Sequence, residues 1–337
     1  YPGATCQIAT PFKVKLPETF SRLGHIGQSY QITQWYPKPA VYDAKGWHPM
    51  PYLNQGEFYS EFGRFDVQIS LPKNYGVGAT GYLQNPEEKA WLNKRSAETE
   101  ARTVFDKNDL DFPESDPEIK TLHYKANNIH DFAWFADKRF HVLQSSVVLP
   151  QTGRSVATWV MFTNLEGHLW KKNGILSVNK ALLHYSSLVG DYPYDQCTAV
   201  ESSLSAGAGM EYPMITVIGK SGATKSLENV IVHEVGHNWF YGILAPNERD
   251  HPWIDEGINS YYEERYMAEH YPEEDLVDGL PKALDYFMPP PGERDETYIL
   301  YQVQQRQNLD QAITLHSNDY TNTNYGVIVY AKTAKAF

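Results

Sequence analysis

The stretch His233-Glu234-Val235-Gly236-His237 holds the most reactive combination of side chains in the chain. On a helix, positions i and i+4 lie on one face about a turn apart, so both imidazoles can point at one ion. Glu234 lies between them, close enough to work on a water that such an ion holds. The chemistry this allows is metal-assisted hydrolysis, with zinc as the expected metal. A catalytic zinc takes three protein ligands and keeps one position open. The third ligand should come from a second helix packed alongside. Glu256, nineteen positions after His237, begins such a helix in Trp253-Ile254-Asp255-Glu256-Gly257. An isolated Glu at a helix start is often a first-turn acid favoured by the dipole alone. Its place downstream of the first motif makes it the expected third ligand.

Several elements must hold these groups. Asn229-Val230-Ile231-Val232 precedes the motif and Trp239-Phe240 comes after it, which predicts a buried helix from Leu227 to about Tyr241 capped by Ser226. Two imidazoles and a carboxylate in a buried helix are costly unless paired or metal-bound. A second helix is expected from near Asp255 to about Glu269. Ile175, Val178, Leu182, Tyr185 and Val189 draw one helical stripe, with Gly190 placed to close it in a left-handed cap. Before them the pattern is β. Phe65, Val67, Ile69 and Leu71 alternate with polar residues, and further runs occur at His141–Leu149 and Ser155–Phe162, the latter with Val156, Thr158, Val160 and Phe162 on one face. Residues 86–120 are polar and read as a long surface excursion between strands. Strands are expected again at Thr198–Leu204 and Met214–Ile218. Pro281 and Pro289-Pro290-Pro291 interrupt the stretch after Glu269, and a last helix starts near Asn324. That helix reaches Phe337 with no closing residue, which reads as a chain cut inside a domain.

Strands first and helices later argue a multidomain chain, all-β and then α+β, with a boundary near residue 145. Its 337 residues suffice for two cores, and 42% hydrophobic with 21% charged residues is a globular composition. A formal net charge of −12 without a dense Lys/Arg block argues against nucleic acid as a partner. No apolar run approaches the ~18 residues of a spanning helix. Cys6 and Cys197 are too few for a disulfide framework and too far apart for a metal knuckle. The start at Tyr1 reads as trimmed, compatible with a removed export signal or with none, so localisation stays open. Oligomeric state is not legible.

From His233 to Tyr262 the chain resembles the aminopeptidase N family of gluzincin zinc metallopeptidases, which includes leukotriene hydrolase. The resemblance rests on the His-Glu-x-x-His, the Glu nineteen positions on, Trp239-Phe240 and the Trp-x-Asp-Glu-Gly frame around Glu256. It implies His233, His237 and Glu256 as ligands of one zinc per chain and Glu234 as general base. Gly207-Ala208-Gly209-Met210-Glu211 is similar to the family's Gly-x-Met-Glu-Asn edge strand, with Tyr212 in place of Asn. That similarity implies substrate contacts at Gly209 and Met210, and Glu211 as the carboxylate that binds a free α-amine. Tyr325-Gly-Val-Ile-Val-Tyr330-Ala-Lys332 resembles a family segment whose second Tyr donates its hydroxyl to the tetrahedral oxyanion. It points to Tyr330 in that role, with Tyr325 assisting.

The stretch from Gln28 to Pro37 resembles a segment of the family's β domain that enters the active site. Gln34 falls on the family's Gln, and Tyr36 stands where Glu or Gln is usual. The likeness is strong from about 205 to 266 and looser elsewhere. It implies a saddle-like all-β domain over 1–145, then a thermolysin-like catalytic domain over 146–337 and a large part of a helical domain beyond Phe337. The expected activity is hydrolysis of the N-terminal peptide bond of a peptide with a free N-terminus. Rival readings are an endopeptidase, an epoxide hydrolase and a non-catalytic peptide-binding scaffold.

Overall fold

A computed structural model describes residues 3–18, 21–51, 53, 55–202, 209–272 and 293–337. Short strands fill its first part: β1 (Gly24–Ile26), β2 (Ser29–Ile32), β3 (Val41–Asp43), β4 (Gly46–His48), β5 (Gly63–Pro72), β6 (Gly76–Ala79) and β7 (Tyr82–Leu83). Helix α1 (Pro86–Ala101) comes next, then β8 (Ile119–Ile129) and β9 (Trp134–Asp137). The alternation in β5 buries Ile69 and Leu71 and exposes Asp66, Gln68 and Ser70. β5 pairs antiparallel with β8, and β7 lies on the other edge of β8. A second sheet runs β1-β2-β9-β6, and β3 with β4 forms a hairpin.

The second part is built on a five-stranded sheet of β10 (His141–Val148), β11 (Ser155–Phe162), β12 (Gln196–Glu201), β13 (Gly209–Tyr212) and β14 (Ile215–Ile218), ordered β10-β11-β12-β14-β13. β11, β12 and β14 are parallel, and the two edge strands run against them. The short α2 (Gly167–Leu169) leads through a wide turn into α3 (Ile175–Leu188), the crossover that parallel β11 and β12 require. Helices α4 (Thr224–Phe240) and α5 (Pro252–His270) come after the sheet. Then come α6 (Glu293–Arg306), α7 (Asn322–Asn324), a wide π-type helix over Tyr325–Lys332, and α8 (Thr333–Ala336). One continuous core joins both parts, from Ile69, Leu122 and Phe132 to Val160, Leu182, Leu227 and Val235.

Some expectations need correcting. Residues 86–101 are helix α1, not part of a surface excursion. Pro86 at its first position and Glu87 and Glu88 in its first turn are sound start signals. Its buried face is Glu88, Leu92, Ser96 and Thr99, with one apolar residue among four, so hydrophobic periodicity is silent. Glu88 is buried with Lys120 at 2.6 Å. α4 begins at Thr224 instead of Leu227, and Ser226 lies inside it without capping. Gly190 follows α3 with φ +145°, a glycine conformation far from the left-handed helical region. Both cysteines are free, Cys6 exposed and Cys197 buried. Among the described residues no helix is long and apolar enough to cross a membrane. Gly207, Ala208 and the prolines at 281 and 289–291 lie outside the described residues.

Glu201, at the end of β12, ties down the loop after β11. Its carboxylate accepts from the backbone N–H of Thr163 (2.7 Å) and Glu166 (3.1 Å) and from the Thr163 hydroxyl (2.6 Å). Burial outweighs these donors and pushes the carboxyl up to about 7. A carboxyl raised in the folded state gives stability that is full below its ordinary 4.5 and is lost as pH rises through 7. The melting temperature of Glu201→Gln, relative to the wild type, should therefore climb between pH 4.5 and 7.5. Parallel pH profiles of the two proteins would refute the assignment.

Candidate active site

Close approach of α4 and α5 brings the motif residues together. A Cβ at Gly236 would fall 2.1 Å from Asn259 Oδ1 and 2.3 Å from the Tyr185 hydroxyl, so only glycine fits between α4 and its neighbours. Asn259 Nδ2 donates to the backbone carbonyl of His233 at 2.8 Å, and the Tyr185 hydroxyl donates to Asn259 Oδ1 at 3.2 Å. His233 and His237 then face Glu256 across the helix pair. The two Nε2 atoms lie 3.1 Å apart, and Glu256 Oε2 is 3.3 Å from each.

The outer nitrogens decide what this triangle can hold. His233 Nδ1 is 2.6 Å from Glu263 Oε2, and His237 Nδ1 is 2.5 Å from Asp255 Oδ1. A carboxylate only accepts, so each Nδ1 carries the proton and each Nε2 turns a lone pair inward. Two facing lone pairs and a carboxylate oxygen need a proton or a cation between them. Donors about 2.0–2.1 Å from one ion at tetrahedral angles are about 3.3 Å apart, so zinc fits the triangle. With no metal bound, burial alone would lower both imidazoles, but Glu263 at His233 and Asp255 at His237 hold them well above the ordinary value, so each Nε2 then carries a proton that a metal ion would have to displace. Burial alone would raise Glu256, and the two imidazoles hold it far below. Sequence reasoning missed Asp255 and Glu263. Asp255 is the neighbour of Glu256, and Glu263 lies seven positions on, on the same helix face, so helical spacing could have found it.

Glu234 points across to β13. A Cβ at Gly209 would fall 2.5 Å from Glu234 Oε1, so the strand needs glycine there. Burial pushes Glu234 up to about 7, against the pull of His233 and His237, and its Oε2 is buried without a partner. Glu211 on β13 is buried beside it. Tyr330 lies with its ring stacked on His233, centroids 6.0 Å apart and 19° between planes. Burial and then Glu256 push its hydroxyl well above 10, so it stays a donor. The Tyr325 hydroxyl accepts from the Gly56 N–H at 3.0 Å. The two tyrosines are five residues apart, a spacing that a regular α-helix turns to different sides and a wide i→i+5 helix brings to one.

A cleft of about 80 Å³ joins these groups: His233, Glu234, His237, Glu256, Gly209, Met210, Glu211, Tyr325 and Tyr330 all line it. Arg22, Gly56, Glu57 and Glu248 line it too, and none had a local sequence signal. Arg22 Nη2 is 3.2 Å from Glu57 Oε1, and its Nη1 donates to the Gly209 carbonyl at 3.1 Å. Gln34 lines a neighbouring hollow, beside Glu57. Tyr36 gives its hydroxyl to Asp131 at 3.3 Å.

A His-Glu-x-x-His helix thus lies paired with a glutamate-bearing helix. Residues 184–337 match the model of the Peptidase family M1 domain. Over 62 residues the chain is 37% identical to leucine aminopeptidase 2 of Aspergillus niger, a match that covers 18% of this chain and 10% of that protein. Among solved structures it is similar to a mutant form of an M1 zinc metallopeptidase from Deinococcus radiodurans (TM-score 0.57, 13% identity, 93% of this chain and 58% of that one). Native yeast LTA4 hydrolase aligns with a TM-score of 0.50 at 14% identity, over 83% of this chain and 38% of that one. The chain thus spans 58% of that Deinococcus radiodurans structure, and its match with the leucine aminopeptidase covers a tenth of that protein. At these identities the structural likeness is one of fold: a β-rich first part and a more helical second.

The carboxylates behind the imidazoles lead to a prediction. Glu263→Gln should weaken zinc binding by about 10- to 100-fold, measured by competition with a chelator. Unchanged affinity would mean that Glu263 does not orient His233.

Proposed function

We propose that this chain is part of a zinc-dependent aminopeptidase that hydrolyses the first peptide bond of a peptide with a free N-terminus. The observation that carries the reading is the triangle of His233 Nε2, His237 Nε2 and Glu256 Oε2, with sides of 3.1 to 3.3 Å and both rings fixed from behind. Zinc, when bound there, supplies a Lewis acid that activates water and polarises the scissile carbonyl. Residues 1–145 form the saddle-like β domain in this reading, and 146–337 the thermolysin-like catalytic domain. Residue 145 itself falls inside β10.

Every other step belongs to the chain's own residues. Glu234 Oε2 takes a proton from the attacking water and hands it to the nitrogen of the leaving amine. A carboxyl near 7 can both accept and release that proton. The Tyr330 hydroxyl keeps its proton and hydrogen-bonds the oxygen that gains charge. Glu211 pairs with the substrate's α-ammonium, which sets the cut one residue from the end. Gly209 and Met210 run beside the substrate backbone at the edge of β13. Tyr325 holds the Gly56 segment in the cleft wall, and Gln34 acts from behind, through Glu57. The endopeptidase reading is disfavoured by Glu211, whose buried carboxyl is placed to ionise when it pairs with a terminal amine.

Glu234→Gln should lower kcat by about 10²- to 10⁴-fold while metal analysis still finds about one zinc per chain. Wild-type turnover in that variant would remove Glu234 from the proton transfer. Chelation should abolish cleavage of aminoacyl amide reporters and added zinc should restore it. N-acetylated reporters should not be cleaved, and equal rates on free and acetylated substrates would overturn the exopeptidase reading.

A further inference from the structure

The mechanism above leaves a buried carboxylate oxygen in the cleft unused. Glu248 lies between α4 and α5 and is 4% exposed. Its Oε2 accepts from the backbone N–H groups of Glu57 and Phe58, both at 3.0 Å. Its Oε1 is buried with no partner, in a residue that lines the cleft. Among the described residues no Lys, Arg or His forms an ion pair with it. Glu57 beside it gives Oε1 to Arg22, while its Oε2 is likewise buried and partnerless. Glu211 lines the same cleft from β13. Three carboxylates thus share this wall; Arg22 pairs with one of them, and Arg249 lies near enough to feel the charge of Glu248 and Glu57 without forming an ion pair with either among the described residues. A desolvated carboxylate oxygen without a partner is costly, and the natural remedy is a cation that arrives with the substrate.

We propose that Glu248 is a second cation-anchoring residue of the cleft, meeting the charged amine of the substrate's first residue together with Glu211. The inference rests on the aminopeptidase reading and adds a residue to it. The shared chemistry is an organic cation, which the α-ammonium or a basic first side chain could bring. A cleft of about 80 Å³ favours the α-ammonium. Glu211 and Glu248 sit on different elements, β13 and the segment before α5, so the amine is fixed by two charges that do not move together.

Glu248→Gln tests this, because its amide oxygen can still accept from Glu57 and Phe58 while the charge is gone. Binding is read by calorimetry on zinc-loaded protein carrying Glu234→Gln, which slows turnover by about 10²- to 10⁴-fold. The probes are L-leucinamide, L-lysinamide and isocaproamide, the leucinamide analogue without its amine. Adding Glu248→Gln should weaken leucinamide by about 10- to 100-fold and leave isocaproamide unchanged. Loss confined to lysinamide would assign the anchor to the basic side chain. Equal loss for isocaproamide would make the role structural and overturn the proposal, as would unchanged leucinamide binding. A second variant avoids Glu248 altogether: Glu211→Gln should keep part of the preference for leucinamide over isocaproamide, and complete loss of that preference would leave Glu248 no role. Turnover of leucinamide by the wild type separates the two levels. Turnover with unchanged binding in Glu248→Gln sinks this inference alone, whereas no turnover and no amine binding sinks both.

Discussion

Two imidazole nitrogens are held 3.1 Å apart with their lone pairs facing, and much of the second half of the chain serves that arrangement. Left to themselves the rings would turn away or share a proton. They cannot turn, because Glu263 and Asp255 grip them from behind. They cannot separate, because Gly236 locks α4 against Asn259 and Tyr185. The strain of gathering like-charged electron pairs is relieved when a cation sits among them. Without a metal, protons and the surrounding carboxylates balance the same groups.

The reach of sequence reasoning depends on how local each signal is. The helix spacing of His233 and His237 is local, and so is the period-two pattern of β5 and β11; all are as expected. Glu256 was legible because its helix starts close behind the first. The wall opposite was not. Arg22, Glu57 and Glu248 come from three separated segments that meet only when the β region packs against the helices. Nothing in their neighbours announces a cleft. Helix α1 failed differently: its signals were local, but its buried face is mostly polar and pairs with Lys120, so a test for apolar periodicity could not see it.

The cleft's electrostatics arise from the same packing. Glu211, Glu234 and Glu248 are buried together, and burial pushes each carboxyl upward. Glu256 goes the other way because it touches both rings. One pocket therefore holds a firmly ionised carboxylate beside others whose protonated form burial favours. Hydrolysis by proton shuttling needs both kinds side by side.

The wide helix over Tyr325–Lys332 has a further meaning. A coil with an extra residue per turn can be viewed as a regular one that has absorbed an insertion without shifting its ends. Removing one residue between the two tyrosines would restore ordinary winding and leave them four positions apart, within about 40° of each other on one face. Length here is thus a geometric parameter. Homologous chains with one residue fewer in this stretch would present both hydroxyls from one side by winding as a regular α-helix.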